Sequence, residues 1–251
     1  MRASSWPPLV ALAVLTRLPL PAMEAASPAD RARATPWFPL AGLAVGGLVS
    51  LTAAILSGLP PFLGAAVAVA VWIGVTGAAT LQGLADTVDG YAGGRGDRRR
   101  ILDIMEDRRG GVGAVAAAVL VVLAKVLATG CLARHGLWAG LVAAPLAGRT
   151  LLPAVLAVTP PSSGETTHKE IVRRLDRAAT MLGVLAGAAA VAFLMGSPGL
   201  GAVAVLAVAA AGLRSLFKRT LGGFTRHTLG ATCELGELVA LGLAVWGAGA
   251  C

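Results

Sequence analysis

Four aspartates and a run of arginines are the part of this 251-residue chain whose types and spacing could do chemistry. Asp86 and Asp89 sit in Gly83-Leu84-Ala85-Asp86-Thr87-Val88-Asp89-Gly90. If the preceding apolar segment continues as helix and Gly90 caps it, the two acids share one face. Asp103 and Asp107 also share a face if 98–108 is helical. Acids at a helix C-terminus oppose the macrodipole at about 0.3–1 kcal/mol each, and a bound cation would reverse that cost. Carboxylate oxygens are hard ligands, so Mg²⁺ or Mn²⁺ is the expected metal; Mg²⁺ commonly takes one or two carboxylates and completes its shell with substrate phosphate. The same spacing suits equally a solvated loop whose acids pair with Arg95, Arg98, Arg99, Arg100, Arg108 and Arg109. Those arginines match phosphate oxygens, and they match membrane orientation and anionic headgroups as well. Arg109, close behind Asp107, is the one assigned to substrate.

A second polar stretch runs from Lys218 to Glu237. Lys218 and Thr225 are candidate substrate contacts, and Gly222-Gly223 would let backbone approach a ligand closely. The helix that follows offers free N–H groups to an anion. Glu234 and Glu237 share a face near its start and join the candidate substrate-binding set. His227, alone in a basic loop, is read as structural, although its ring could do acid–base work.

The elements that must position these residues are apolar. The chain is 56% hydrophobic and 14% charged, with mean hydropathy +0.77, which exceeds the apolar content of ordinary soluble domains. Segments at about 37–57, 61–81, 111–133, 137–157, 179–196, 198–213 and 229–250 approach the ~20 residues that cross a bilayer. Tight breaks at Pro60-Pro61 and Ser197-Pro198-Gly199 separate neighbours. Trp6 to Leu15 is apolar but interrupted by Arg17 and prolines, and reads as an interfacial helix and not as a signal peptide. The expected fold is therefore all-α: one domain over 1–251, a polytopic bundle of about seven transmembrane helices plus an N-terminal interfacial helix, its helices packed through small residues.

Charge placement tests that reading. Of 21 Lys and Arg, 18 fall before residue 37 or in 82–110, 158–178 and 214–228, regions that share one side if seven spans alternate. The positive-inside rule puts that side and the N-terminus in the cytoplasm, at the cell's inner membrane, and the C-terminus outside. The net charge of +8 then reports orientation, and no nucleic-acid partner is expected. Lys125 and Arg149 lie within spans; Lys125 either pairs inside the bundle or serves a substrate. Cys131, Cys233 and Cys251 show no metal or disulfide spacing and read as small apolar fillers.

From Leu15-Thr16-Arg17-Leu18-Pro19 to the last span the chain resembles the cobalamin synthase family, the adenosylcobinamide-GDP ribazoletransferases. The motifs that carry the resemblance are Phe38-Pro39-Leu40-Ala41-Gly42-Leu43, Gly83 to Gly90, Ile104-Met105 with Asp107, Lys218-Arg219-Thr220-Leu221-Gly222-Gly223, and Leu229-Gly230-Ala231-Thr232 with Glu234 and Glu237. The resemblance implies a Mg²⁺-dependent membrane transferase in which a hydroxyl of α-ribazole, or of its phosphate, attacks adenosylcobinamide-GDP and displaces GMP. It assigns catalysis and metal to Asp86, Asp89 and Asp107, with Asp103 as a further metal ligand and Glu234 behind it. Membrane lipid is a partner, and a homo-oligomer stays open. The family usually has an acid at Gln82, Ser at Arg108 and Gly-Asp at Arg226-His227; here a neutral amide and softer nitrogen replace hard oxygen. Rival readings are a catalytically weakened paralogue, a CDP-alcohol-phosphotransferase-like enzyme, and a corrinoid transporter or assembly subunit. The near-blank opposite face argues against transport.

Overall fold

Proline opens five of the helices and left-handed glycine closes three. The computed structural model describes residues 6–20, 26–107 and 109–249; Arg108 and Cys251 lie outside them. Helix α1 spans Pro7–Leu15, α2 Pro28–Ala34 and, after a 3-10 turn, α3 Phe38–Ile55. Next come α4 (Pro61–Thr76), α5 (Ala79–Gly94), α6 (Arg98–Glu106) and α7 (Val112–Arg134). The chain continues through α8 (Trp138–Val158), α9 (Thr166–Arg173), α10 (Arg177–Met195), α11 (Ser197–Leu221) and α12 (Arg226–Ala248). Pro sits in the first turn of α1, α2, α3, α4 and α11, where its missing N–H costs nothing. Left-handed glycines, Gly77, Gly222 and Gly249, end α4, α11 and α12, leaving the last carbonyls reachable by the turning chain.

Among the described residues, six helical stretches are long and apolar enough to cross a membrane, beginning with the continuous run Pro28–Ile55. The seventh expected span takes another form. The segment at 61–81 is not one straight helix reaching Asp89, because α4 and α5 meet at 87°. Gly77 (φ 63) and Ala78 (φ 55) are both left-handed there, which breaks the i to i−4 ladder and redirects the chain. Gly90, expected as the cap, is an interior residue of α5, which runs on to Gly94 and ends at left-handed Arg95. Likewise α11 extends to Leu221, eight residues beyond the expected 213.

Helix α8 is the centre: 78% of its apolar window is buried, against 17% for α10 and α11, which form the rim. Small residues let the backbones close up, as the composition implied. A Cβ at Gly42 would lie 2.6 Å from the Leu146 Cα, so α3 and α8 touch main chain to main chain. Trp72, Val49, Leu141, Leu146, Val155 and Leu241 fill the layer around them. The cysteine expectation needs one correction: Cys131 is disulfide-bonded, while Cys233 is a buried free thiol.

Candidate functional site

The cationic segments meet at one end of the bundle and are tied there by hydrogen bonds. Arg98 donates to the Ser163 hydroxyl at 3.1 Å, the Arg226 guanidinium to Glu106 at 2.5 Å, and the Arg226 amide to Glu165 at 2.7 Å. Tyr91 and Thr220 share a hydrogen bond of 2.7 Å. Thus α5, α6, the loop before α9 and the junction of α11 with α12 form one polar surface.

Helix α5 carries Asp86 and Asp89 to that surface, and glycine determines how. A Cβ at Gly83 would lie 2.9 Å from the Gly230 Cα, and one at Gly230 2.8 Å from the Thr80 carbonyl oxygen. The α5 and α12 backbones are therefore in contact, and no side chain fits between them. This contact brings the first turn of α12 beside Asp86. The His227 Nδ1 and Asp86 Oδ2 are 2.9 Å apart. The Arg226 guanidinium donates to the His227 Nε2 at 3.0 Å, which leaves the Nδ1–H to donate to Asp86. Glu106 lies 3.4 Å from the same Nε2. One turn on, Asp89 accepts the Gly111 N–H at 2.6 Å, and Gly111 is the N-cap of α7, whose positive dipole end favours a carboxylate.

The other two candidate metal ligands are placed differently. Ile101 and Met105 are the buried residues of α6, packed with Leu221 and Tyr91. At 100° per residue, Asp103 falls on the opposite side of that helix, and it is exposed. The premise of helix over 98–108 also fails. Helix α6 ends at Glu106, and Asp107 is an extended cap residue (ψ 118) that accepts hydrogen bonds from the Arg109 amide and side chain at 3.0 and 3.2 Å. Those bonds hold the Asp107 carboxyl below the usual range and raise the Arg109 guanidinium above its own. Among the described residues no three His, Cys, Asp or Glu side chains are arranged to hold a metal ion, so the four aspartates do not form one preformed cage. What α5 offers is a pair of half-buried hard-oxygen donors, a set that fits an ion taking most of its ligands from phosphate and water.

The second polar stretch is put to structural use. Gly222 (φ 71) is a left-handed helix cap, and the Arg98 guanidinium lies 2.8 Å from where its Cβ would be. A Cβ at Gly223 would meet Ser162 N at 2.8 Å, since Phe224 pairs with the 160–162 strip through hydrogen bonds of 2.8 and 2.9 Å. Chain crossing, and not ligand approach, requires these glycines. Thr225 is buried, and its hydroxyl caps the Thr228 N–H of α12, so it is not a free substrate contact. The anion at that helix start is internal. Burial alone would push Glu165 up, but hydrogen bonds from His168 and the Arg226 amide outweigh it and hold the carboxyl low. Lys218, in the last turn of α11, is exposed and remains available to a ligand.

Glu234 and Glu237 are not near-surface ligands either, being 2% and 0% exposed inside the bundle. Lys125 pairs with both, at 2.7 Å to Glu234, and Arg149 pairs with Glu237. Thr80 donates to Glu234 at 2.6 Å, and the Lys125 ammonium lies 4.3 Å from the Trp72 ring centre. Two cations and two carboxylates make a neutral cluster, the arrangement a low-dielectric interior requires. This resolves Lys125 as a bundle partner. No local spacing marks Glu106, Glu165, His168 or Thr80; each matters through a partner 61 or more residues away, or through a neighbour that has one.

Beside His227 a cleft of about 240 Å³ is lined by Arg31, Thr80, His168, Arg226, Leu152 and Leu156 among others. It combines an apolar floor with a cationic rim.

Residues 7–245 match the family described as cobalamin-5-phosphate synthase. The chain is 40% identical over 238 residues to the adenosylcobinamide-GDP ribazoletransferase of Pseudomonas aeruginosa (strain UCBPP-PA14), covering 94% of this chain and 97% of that protein. It is 42% identical to the protein of that name from Pseudomonas putida (strain GB-1), covering 95% and 98%, and 39% identical to that of Pseudomonas paraeruginosa (strain DSM 24068 / PA7), covering 97% and 100%. No solved structure matches.

Proposed function

Since this chain belongs to the cobalamin-5-phosphate synthase family along nearly its whole length, we propose that it works as an adenosylcobinamide-GDP ribazoletransferase. In that reaction a hydroxyl oxygen of α-ribazole, or of its phosphate, forms a bond to the cobinamide-linked phosphorus. The bond from that phosphorus to the bridging oxygen breaks, GMP leaves with the electron pair, and the hydroxyl proton passes to solvent. With α-ribazole the product is adenosylcobalamin.

One observation carries the reading onto this surface. Asp86 and Asp89 lie one helical turn apart on α5, tied to His227 and to the Gly111 N–H, at the end where the cationic segments converge. They are the residues we assign to Mg²⁺, which when bound neutralises charge on a diphosphate. The protein's share is positional. His227 and the Gly111 N–H orient the two carboxylates, while exposed Lys218 and Arg109 are the cations offered to phosphate oxygens. The apolar floor of the 240 Å³ cleft suits the heteroaromatic base of α-ribazole. We infer that this surface faces the cytoplasm at the inner membrane, as the distribution of Lys and Arg requires. The buried cluster around Lys125 is closed and neutral, which favours an enzyme over a transporter with a midplane site.

The test is release of GMP by purified membranes given adenosylcobinamide-GDP, α-ribazole and Mg²⁺. Release that stops on chelation and returns with Mg²⁺ is expected. Asp86→Asn should lose more than the ~10–100-fold that loss of an outer-shell partner costs while its membrane insertion stays intact. Full activity of Asp86→Asn would remove that residue from the site, and metal-independent release would remove the ion.

A further inference from the structure

At the ends of α8, α10 and α11 lies a second cleft, of about 540 Å³, whose lining includes Thr159, Arg177 and Arg214 beside Ala157, Val158 and Val172. It shares no lining residue with the cleft beside His227. Arg214 is anchored by its Nε, which donates to the Val158 carbonyl at 2.9 Å, so its terminal nitrogens are left for something else. Neither Arg177 nor Arg214 pairs with an acid among the described residues. The nearest acids in sequence are already engaged: Asp176 caps the Ala179 N–H at 3.0 Å, and Glu170 holds Arg173 and Arg174 at 2.8 and 2.5 Å.

Thr159 supplies the independent sign. It is 2% exposed, and its hydroxyl has no hydrogen-bond partner among the described residues. A buried hydroxyl left unpaired is costly enough that proteins rarely keep one without a use. Two guanidiniums with no acid partner among the described residues thus line a single cleft whose wall also holds Thr159, beside apolar side chains of which Val158 is 43% exposed. Guanidinium forks match phosphate oxygens, and the cleft opens at the end of helices whose outer faces are apolar along their length.

We propose that this cleft binds a phosphate ester, with Arg177 and Arg214 on its oxygens and the Thr159 hydroxyl as a third donor. Two carriers share that chemistry: an anionic glycerophospholipid of the surrounding leaflet, and a soluble phosphate monoester. The site does not depend on the transferase reading, and its test needs no turnover.

Native mass spectrometry of the full chain released from detergent would compare retention of dioleoylphosphatidylglycerol with that of dioleoylphosphatidylcholine. Thermal stabilisation by ribose 5-phosphate would be measured in parallel. Replacing both arginines, Arg177→Gln with Arg214→Gln, removes two charge-assisted contacts and should weaken the bound phosphate by about 10–100-fold. Selective loss of phosphatidylglycerol with phosphatidylcholine unchanged identifies the lipid carrier; loss of the ribose 5-phosphate shift identifies the soluble one. Wild type and a folded double variant that behave alike in both arms would overturn the proposal. Should the double variant not insert, Thr159→Val removes the hydroxyl at nearly constant volume and decides alone: a severalfold weakening supports the site, and unchanged affinity in both arms overturns it.

Discussion

Glu237 and Glu165 are both carboxylates held by cations and amides, and their surroundings give them opposite roles. Glu237 is 0% exposed between Lys125 and Arg149. Removing one member of such a cluster strands the opposing charge in the interior, at about 3–5 kcal/mol. Glu237→Ala is therefore expected to lower thermal stability in detergent by that amount, while GMP release per folded molecule stays near wild type. Unchanged stability with lost activity would return Glu237 to the substrate-binding set. Glu165 lies outside the spans and ties His168 and the Arg226 amide together at 2.6 and 2.7 Å. Its folded pKa is depressed, so the stability it contributes is present above the unfolded value of about 4.3 and is lost as pH falls through the folded value. A thermal-melt series below pH 5 should show that acid limb in the wild type and a flatter one in Glu165→Gln. The Asp86 and Asp89 pair was legible because both acids lie within one helical turn of each other. Their partners were not, since His227 is 141 residues from Asp86 and reaches it only through the packing of α5 on α12.

That packing is a property of whole elements. Gly83 and Gly230 are each placed where a Cβ would stand within 2.9 Å of the facing backbone, and a backbone cannot step aside as a flexible side chain can. Gly83→Val should cost about 1–3 kcal/mol as an overpacked contact and should also lower GMP release, because pushing the helices apart separates Asp86 from His227. Gly47→Ala is the control, since nothing lies within 4 Å of its Cβ position and Ala is the better helix former by up to about 1 kcal/mol. The motif around Gly83 was readable as a unit, but its reason was not. The same holds for Gly222-Gly223, whose form suggests a ligand cradle and whose neighbours are Arg98 and the 160–162 strip. Spacing reports that a backbone passes close to something; it does not report what.

At the scale of the molecule, the apolar runs and the one-sided cations agree with a bundle whose charged loops gather at one end. Hydrogen bonds from Arg98 and Arg226 to Ser163, Glu106 and Glu165 join three of those loops. Cysteines placed singly at Arg99 and His135 in a background cleared of the native ones should label from opposite sides of the membrane. An impermeant maleimide on intact cells is expected to reach position 135 and to reach position 99 only after permeabilisation; the reverse pattern would invert the orientation we infer.

Fold class, the approximate limits of most spans, the charge asymmetry and the acid pair of α5 follow from the amino-acid order alone. Each depends on residues near one another in the chain, through hydropathy over ~20 residues or one helical turn. The 87° bend after Thr76, the exposure of Asp103 and Asp107 to solvent, and the neutral cluster joining Lys125, Arg149, Glu234 and Glu237 were decided only when the helices packed. A buried charge can be kept only beside its opposite, and the helices that bring the two together are up to 112 residues apart, a distance over which no local pattern carries information.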